Sequence, residues 1–310
     1  MGFAVLCPGQ GAQHGAMFDL LAGQTAADEV LQETETVLGI DLRKRLSHIP
    51  PTRLFQNAFA QPLLCAAALA TWRSLSSALP PPLLFAGYSV GELAAYGCAG
   101  ALSVRETLRL AQRRAALMDA AATNPSGLLA VRGLHRAAID ALCDQYGLEI
   151  AIINGADHFI LGGAEPGLTE AQPAALDKGA RTAQRLPVTV AAHTLLLRAA
   201  GPAFAEELRA AEFSPWVIPV LAGINGEPVR KPETAAITLA SQLHSTLRWS
   251  DCMQSAIEMG ARTFLELGPG RSLTRMLLEA HPQVTARSVT DFRSLEGIAA
   301  WVNKQQAAPM

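Results

Sequence analysis

The segment Gly87-Tyr88-Ser89-Val90-Gly91 places one serine between two glycines. A serine so spaced can act as a nucleophile when a strand runs into the turn and a helix leaves it. The sharp corner exposes the hydroxyl, and the glycines let neighbouring backbone approach closely. Leu83-Leu84-Phe85-Ala86 is an apolar strand candidate, and the chain turns helical from Glu92. The start of that helix favours negative charge on a bound carbonyl. An ordinary turn serine fits the same spacing. A nucleophile also needs a base. The seven histidines are His14, His48, His135, His158, His193, His244 and His281. His193 stands apart because it follows Leu186-Pro187-Val188-Thr189-Val190-Ala191-Ala192, a strand candidate ending in small residues that can hold an imidazole at a cleft. Any one of the seven also reads as a solvated or core residue. Ordinary α/β-hydrolases run Ser, then Asp or Glu, then a His near the C-terminus. Residues 194–310 still follow His193, and no Asp takes the late position before His281. Acyl transfer by a Ser–His pair is expected, and a plain esterase is disfavoured.

The elements that must carry these residues follow from apolar runs and breakers. Phe3 to Leu6 reads as a buried strand entering Pro8-Gly9-Gln10-Gly11, and Gln61 to Leu75 as an interior helix. Thr107 to Ala122 is a helix carrying Arg109, Arg113 and Arg114. After Asn124-Pro125-Ser126-Gly127 the texture changes: strands are expected at Leu128–Val131, Glu149–Ile153, Phe159–Leu161 and Arg185–Val190, with helices near 134–146 and 165–180. That is the ferredoxin-like order. The fold class is therefore α/β: a large α/β-hydrolase-like domain with a parallel sheet core, formed by residues 1–123 and 191–310, and a small inserted ferredoxin-like domain at 124–190. The second part of the large domain is expected to contain helix 194–211, strand 217–222, helices 234–247 and 250–259, strand 262–267 and helix 271–280, with Gln305 to Met310 frayed.

Composition narrows the classes. Of 310 residues, 50% are apolar and 17% charged, ample for a buried core. A net charge of −2 leaves no footprint for nucleic acid. Cys7, Cys65, Cys98, Cys143 and Cys252 form no C-x-x-C pair, which argues against disulfides and a metal site and for free thiols in a reducing compartment. The start of the chain lacks a basic segment before its short apolar run, and no stretch reaches the roughly 18 apolar residues of a spanning helix. A cytoplasmic protein with no membrane partner is expected.

The motifs together resemble the malonyl-CoA:acyl-carrier-protein transacylase family. Gly9-Gln10-Gly11-Ala12-Gln13 is similar to its G-Q-G-[SA]-Q loop, and Gly87 to Glu92 to its G-H-S-[LV]-G-E segment. Arg114 follows Ser89 at the family's spacing for a carboxylate-binding Arg, and Leu186 to His193 is similar to the segment delivering the catalytic His. Gln242-Leu243 with Trp249, and Glu266-Leu267-Gly268-Pro269-Gly270, resemble the late Q-L…W and E-[LV]-G-P-G segments. The likeness covers nearly the whole chain in order. It implies a malonyl-Ser89 intermediate, His193 as base, and the Gln242 main-chain carbonyl orienting that base. It also implies an oxyanion hole from the N–H groups of Gln10 and Val90, and Arg114 gripping the malonyl carboxylate. No bound cofactor is implied: malonyl-CoA is the substrate and the phosphopantetheine-type thiol of an acyl carrier protein the acceptor.

Two departures bear on the context. Position 88 is Tyr where fatty-acid-synthesis members carry His, and Gly87 to Ala95 followed by Gly97-Cys98-Ala99-Gly100 is most similar to the transacylase (epsilon) subunit of bacterial malonate decarboxylase. That likeness implies the decarboxylase carrier subunit as partner. The alternatives are a transacylase of fatty-acid or polyketide synthesis and, outside the class, a thioesterase or esterase. Val190-Ala191-Ala192-His193 leaves malonyl and methylmalonyl both open. His244 to Arg248 replaces the usual asparagine-proline-valine run, a change without a physical account.

Overall fold

The computed structural model describes residues 2–307. Continuous apolar runs become strands buried on both faces, the condition of a parallel sheet covered by helices. Among the described residues eleven strands form: β1 (Gly2–Cys7), β2 (Leu84–Gly87), β3 (Ser126–Arg132), β4 (Leu148–Gly155), β5 (His158–Ala164), β6 (Thr182–Arg185), β7 (Val220–Leu221), β8 (Pro228–Val229), β9 (Leu247–Arg248), β10 (Ala261–Glu266) and β11 (Thr285–Ser288). The first sheet has the order β11-β10-β1-β2-β7-β8. Its first five strands run parallel, and β8 closes the edge antiparallel to β7. The helix Asn57–Leu75 is buried along nearly its whole length, as an apolar sequence without a polar face requires.

The second sheet has the order β6-β3-β5-β4-β9. Neighbours among β6, β3, β5 and β4 are antiparallel, and β9 adds parallel to β4. Alternation of side chains divides its faces. Leu129, Val131, Phe159 and Leu161 pack with Ile139, Leu142 and Leu168 from the helices Arg136–Tyr146 and Glu165–Asp177. Leu128, Ile152 and Ile160 turn the other way and join the main core.

Several boundaries differ from the sequence expectation, and two differences matter at the site. The strand expected over Arg185–Val190 is β6, ending at Arg185; Pro187 has no N–H for a ladder, so the chain continues to His193 as irregular backbone. The helix expected over 234–247 spans Pro232–Gln242, after which the chain turns into β9. The expected helix 194–211 is a 3-10 turn at Leu195–Leu197 followed by a helix at Ala200–Arg209, and only Val220–Leu221 of 217–222 pairs as strand. The helices Thr25–Leu38 and Leu295–Ala307 and strand β11 were not anticipated individually. Gln305 to Ala307 belong to that last helix, anchored by buried Ile298 and Val302; residues 308–310 lie outside the described ones. No helix among the described residues is long and apolar enough to cross a membrane.

Candidate active site

The carboxyl ends of the adjacent strands β1 and β2 carry two loops, Pro8–Gly11 and the corner at Tyr88-Ser89. Ser89 sits between β2 and the helix Val90–Cys98 with φ 55° and ψ −118°. A non-glycine residue there stores backbone strain that its surroundings must hold. The flanking glycines show how they do so. A Cβ on Gly87 would meet the Gly91 carbonyl oxygen at 2.1 Å, and one on Gly91 the Cys7 carbonyl oxygen at 2.1 Å. Strand, corner and helix are in backbone contact, so no larger residue fits.

The sequence-predicted residues converge on this corner. Ser89 Oγ lies 2.9 Å from His193 Nε2. His193, itself at φ 65° and 2% exposed, donates from Nδ1 to the Gln242 carbonyl oxygen at 2.6 Å. That carbonyl is available because the helix ends at Gln242; the last carbonyls of a helix lack intrahelical partners. With Nδ1 committed to a peptide oxygen, the neutral ring turns the Nε2 lone pair to the serine. Burial first, and then the Arg114 cation, push His193 down to about 3, so it is neutral and able to take a proton throughout the physiological range.

Arg114 is 2% exposed and forms no ion pair with a carboxylate among the described residues; its two shortest hydrogen bonds go to amides. Nη1 donates to Gln61 Oε1 at 2.7 Å and Nη2 to Gln242 Oε1 at 2.8 Å, with Nη2 also 3.4 Å from Ser89 Oγ. Burial lowers the guanidinium to about 10, which leaves it charged at neutral pH. Its neighbours on the same helix face elsewhere: Arg109 and Arg113 both bind Glu207 near the surface. A buried cation whose direct partners are two amides can take up an anion beside Ser89.

Val90 begins the helix after the corner, so its N–H belongs to the first turn, whose donors have no intrahelical acceptor. Gly9 brings the neighbouring loop against the corner: a Cβ there would meet the Tyr88 carbonyl oxygen at 2.7 Å. Gln10 follows immediately. A cavity of about 510 Å³ opens beyond, lined by Gln10 and Tyr88 from the loops after β1 and β2 and by Asn154, His158 and Gln184 from the second sheet. Tyr88 reaches across, donating its hydroxyl to Asn154 Oδ1 at 3.1 Å while its ring meets Trp249 edge-on at 5.4 Å.

Gln61, Glu92 and Asn154 escaped the sequence reading as site residues. A signal existed for two of them: Gln61 and Glu92 are buried polar residues within largely apolar helices. Asn154 carried none, since its place opposite Tyr88 depends on how the two sheets meet.

A strained serine at a helix N-terminus, hydrogen-bonded to a neutral imidazole that a peptide carbonyl orients, belongs to an enzyme that moves acyl groups. Residues 5–306 match the acyl transferase domain family, and the chain belongs to that family as an acyltransferase. The polyketide biosynthesis protein ThaF of Burkholderia thailandensis is 32% identical over 303 residues, which are 96% of this chain but 26% of that protein. The malonyl CoA-acyl carrier protein transacylase of Salmonella typhimurium is 29% identical over 93% of this chain and 96% of its own length. Among solved structures, the transacylase of Coxiella burnetii has a TM-score of 0.92 at 28% identity, covering 98% of both chains. A malonyl-transacylase in complex with a type II polyketide acyl-carrier protein has a TM-score of 0.92 at 29% identity, covering 97% of this chain and 99% of its own.

Proposed function

We propose that this chain transfers a malonyl group from malonyl-CoA to the phosphopantetheine-type thiol of an acyl carrier protein. The observation that carries the reading is Arg114, buried among amides with Nη2 3.4 Å from Ser89 Oγ. His193 Nε2 takes the hydroxyl proton as Ser89 Oγ adds to the thioester carbonyl. The N–H groups of Val90 and Gln10 receive the oxyanion, each such donor lowering the barrier by about 3 kcal/mol. Collapse expels the CoA thiolate, which recovers the proton from His193. The carrier thiol then repeats the sequence in reverse on malonyl-Ser89. Arg114 pairs with the free carboxylate; an acetyl group would leave the cation unpaired and is rejected for that reason. The transacylases among the relatives carry this activity in their names.

Residues 1–123 and 191–310 form the α/β-hydrolase-like catalytic unit in this reading, and 124–190 the ferredoxin-like one, whose order β6-β3-β5-β4 fits that assignment. The free cysteines fit a cytoplasmic setting. The acceptor we favour is the carrier subunit of malonate decarboxylase, supported by Tyr88 and the G-Y-S-V-G-E-L-A-A run. A fatty-acid or polyketide carrier is a second reading, favoured by the names of the relatives. Intact-mass spectrometry after brief exposure to malonyl-CoA tests the chemistry: a malonyl adduct is expected, and its persistence in Ser89→Ala would refute the nucleophile. Offering malonyl-enzyme each carrier in turn tests the context; transfer to the fatty-acid carrier alone would reject the decarboxylase assignment.

A further inference from the structure

Glu92 has no part in the reaction just described, yet it is completely buried two residues into the helix behind Ser89. Its helix is otherwise apolar, and an ionisable group is costly to bury without a purpose served by its hydrogen bonds. Oε2 accepts from the Gly223 N–H at 3.0 Å and from Gln242 Nε2 at 2.5 Å. Oε1 has no hydrogen-bond partner among the described residues.

The geometry around Gln242 makes that second bond informative. A side-chain amide has a donor end and an acceptor end, and only one assignment satisfies both sides here. With Nε2 turned to Glu92 and to the Ser89 carbonyl oxygen at 3.3 Å, Oε1 faces Arg114 Nη2 at 2.8 Å. Flipped, the amide would set its NH2 against the guanidinium and its oxygen against an acceptor. Gln61 holds the other terminal nitrogen from the opposite side, leaving the remaining N–H groups for an incoming anion.

We propose that Glu92 is a positioning residue: it locks the Gln242 amide in the orientation that presents Arg114 to the carboxylate of the acyl group on Ser89. The inference rests on the malonyl reading of Arg114. It does not depend on the protonation of Glu92. Burial lifts that carboxyl to about 7, but a proton on the unpartnered Oε1 leaves Oε2 an acceptor.

The test compares acyl-enzyme formation from malonyl-CoA and acetyl-CoA in the full-length protein, as KM and kcat for each. Glu92→Met keeps the length and removes the acceptor. It should raise the malonyl KM and lower the malonyl-to-acetyl preference by about tenfold, the scale of one charge-assisted hydrogen bond. Glu92→Gln, whose carbonyl oxygen can stand in for Oε2, should recover most of that preference. Equal losses for both acyl groups in Glu92→Met, an unchanged preference, or a Gln variant as poor as the Met variant would each overturn the proposal. Gln242→Met, which keeps the main-chain carbonyl, guards against a poorly folding Glu92→Met. It should lose the same preference, and the double variant should lose no more than Gln242→Met alone; additive losses count against the proposal. Arg114→Ala separates the two readings. If it retains malonyl preference, the carboxylate clamp and the Glu92 role fall together. If it loses preference while Glu92→Met keeps it, only the Glu92 role falls.

Discussion

At the scale of single residues, the proposed reaction divides making a nucleophile from selecting a substrate. Ser89, His193 and the Gln242 carbonyl form a relay without a carboxylic acid. A peptide oxygen orients the imidazole but stabilises imidazolium less than an anion would, and the neighbouring Arg114 opposes that charge further. His193→Ala should cost malonyl loading about 10²–10⁴-fold, measured as acyl-enzyme formation under single turnover. The pH dependence follows from the same environment. Because the folded-state value is lowered to about 3, the base stays deprotonated as pH falls past 6.5. The acid limb of kcat/KM should therefore lie well below that of an ordinary histidine. Once the substrate carboxylate neutralises Arg114, the ring is easier to protonate, so the acid limb of kcat should lie above that of kcat/KM. Coincident limbs near pH 6.5 would contradict this account. Burial lifts the Glu92 carboxyl to about 7, but Oε2 accepts in either protonation state, so the malonyl-to-acetyl preference should not change across pH 7.

At the scale of elements, the site is made by endings. The β2 strand ends at Gly87, β6 ends two residues before Pro187, and a helix ends at Gln242. Each ending releases backbone that regular structure would have consumed: the corner that exposes Ser89, the irregular run that carries His193, and the carbonyl that accepts from it. The packing at the corner admits nothing larger. Gly91→Ala should lose at least about 2 kcal/mol of stability, read as a lower denaturation midpoint, with loss of malonyl loading. A variant of wild-type stability and activity would show that the contact between Gly91 and the Cys7 carbonyl relaxes freely.

At the scale of the whole molecule, the two sheets meet beside the Tyr88-Ser89 corner, where Tyr88 bonds Asn154. The second sheet takes its last strand, β9, from the segment after Gln242, and its inward face shares the main core. The second sheet is thus tied to the first by strand pairing, by apolar packing and by the Tyr88–Asn154 bond. One cooperative unfolding transition is expected by calorimetry, and two resolved transitions would contradict a shared core. Tyr88→Phe removes the hydroxyl and keeps the ring on Trp249; a loss of about 1 kcal/mol is expected from that bond, measured by denaturant titration.

The order of the apolar runs sufficed to place Ser89 at a strand-to-helix corner, because glycine spacing and strand-to-helix succession are local properties. The succession of strands and helices from Ser126 to Arg185 was legible for the same reason, whereas β8, β9, β11 and the helix Leu295–Ala307 were not. His193 stood apart by the small-residue run before it, but Arg114 and Gln242 were legible only through resemblance, since the meeting of all three with Ser89 spans most of the chain and no local pattern encodes it. Only the tertiary structure decided that the helix stops at Gln242 and that His193 arrives on irregular backbone. It alone set Gln61 and Glu92 around Arg114, and Asn154 opposite Tyr88. Those are long-range hydrogen bonds between elements far apart in sequence, and their geometry exists only once both sheets have packed.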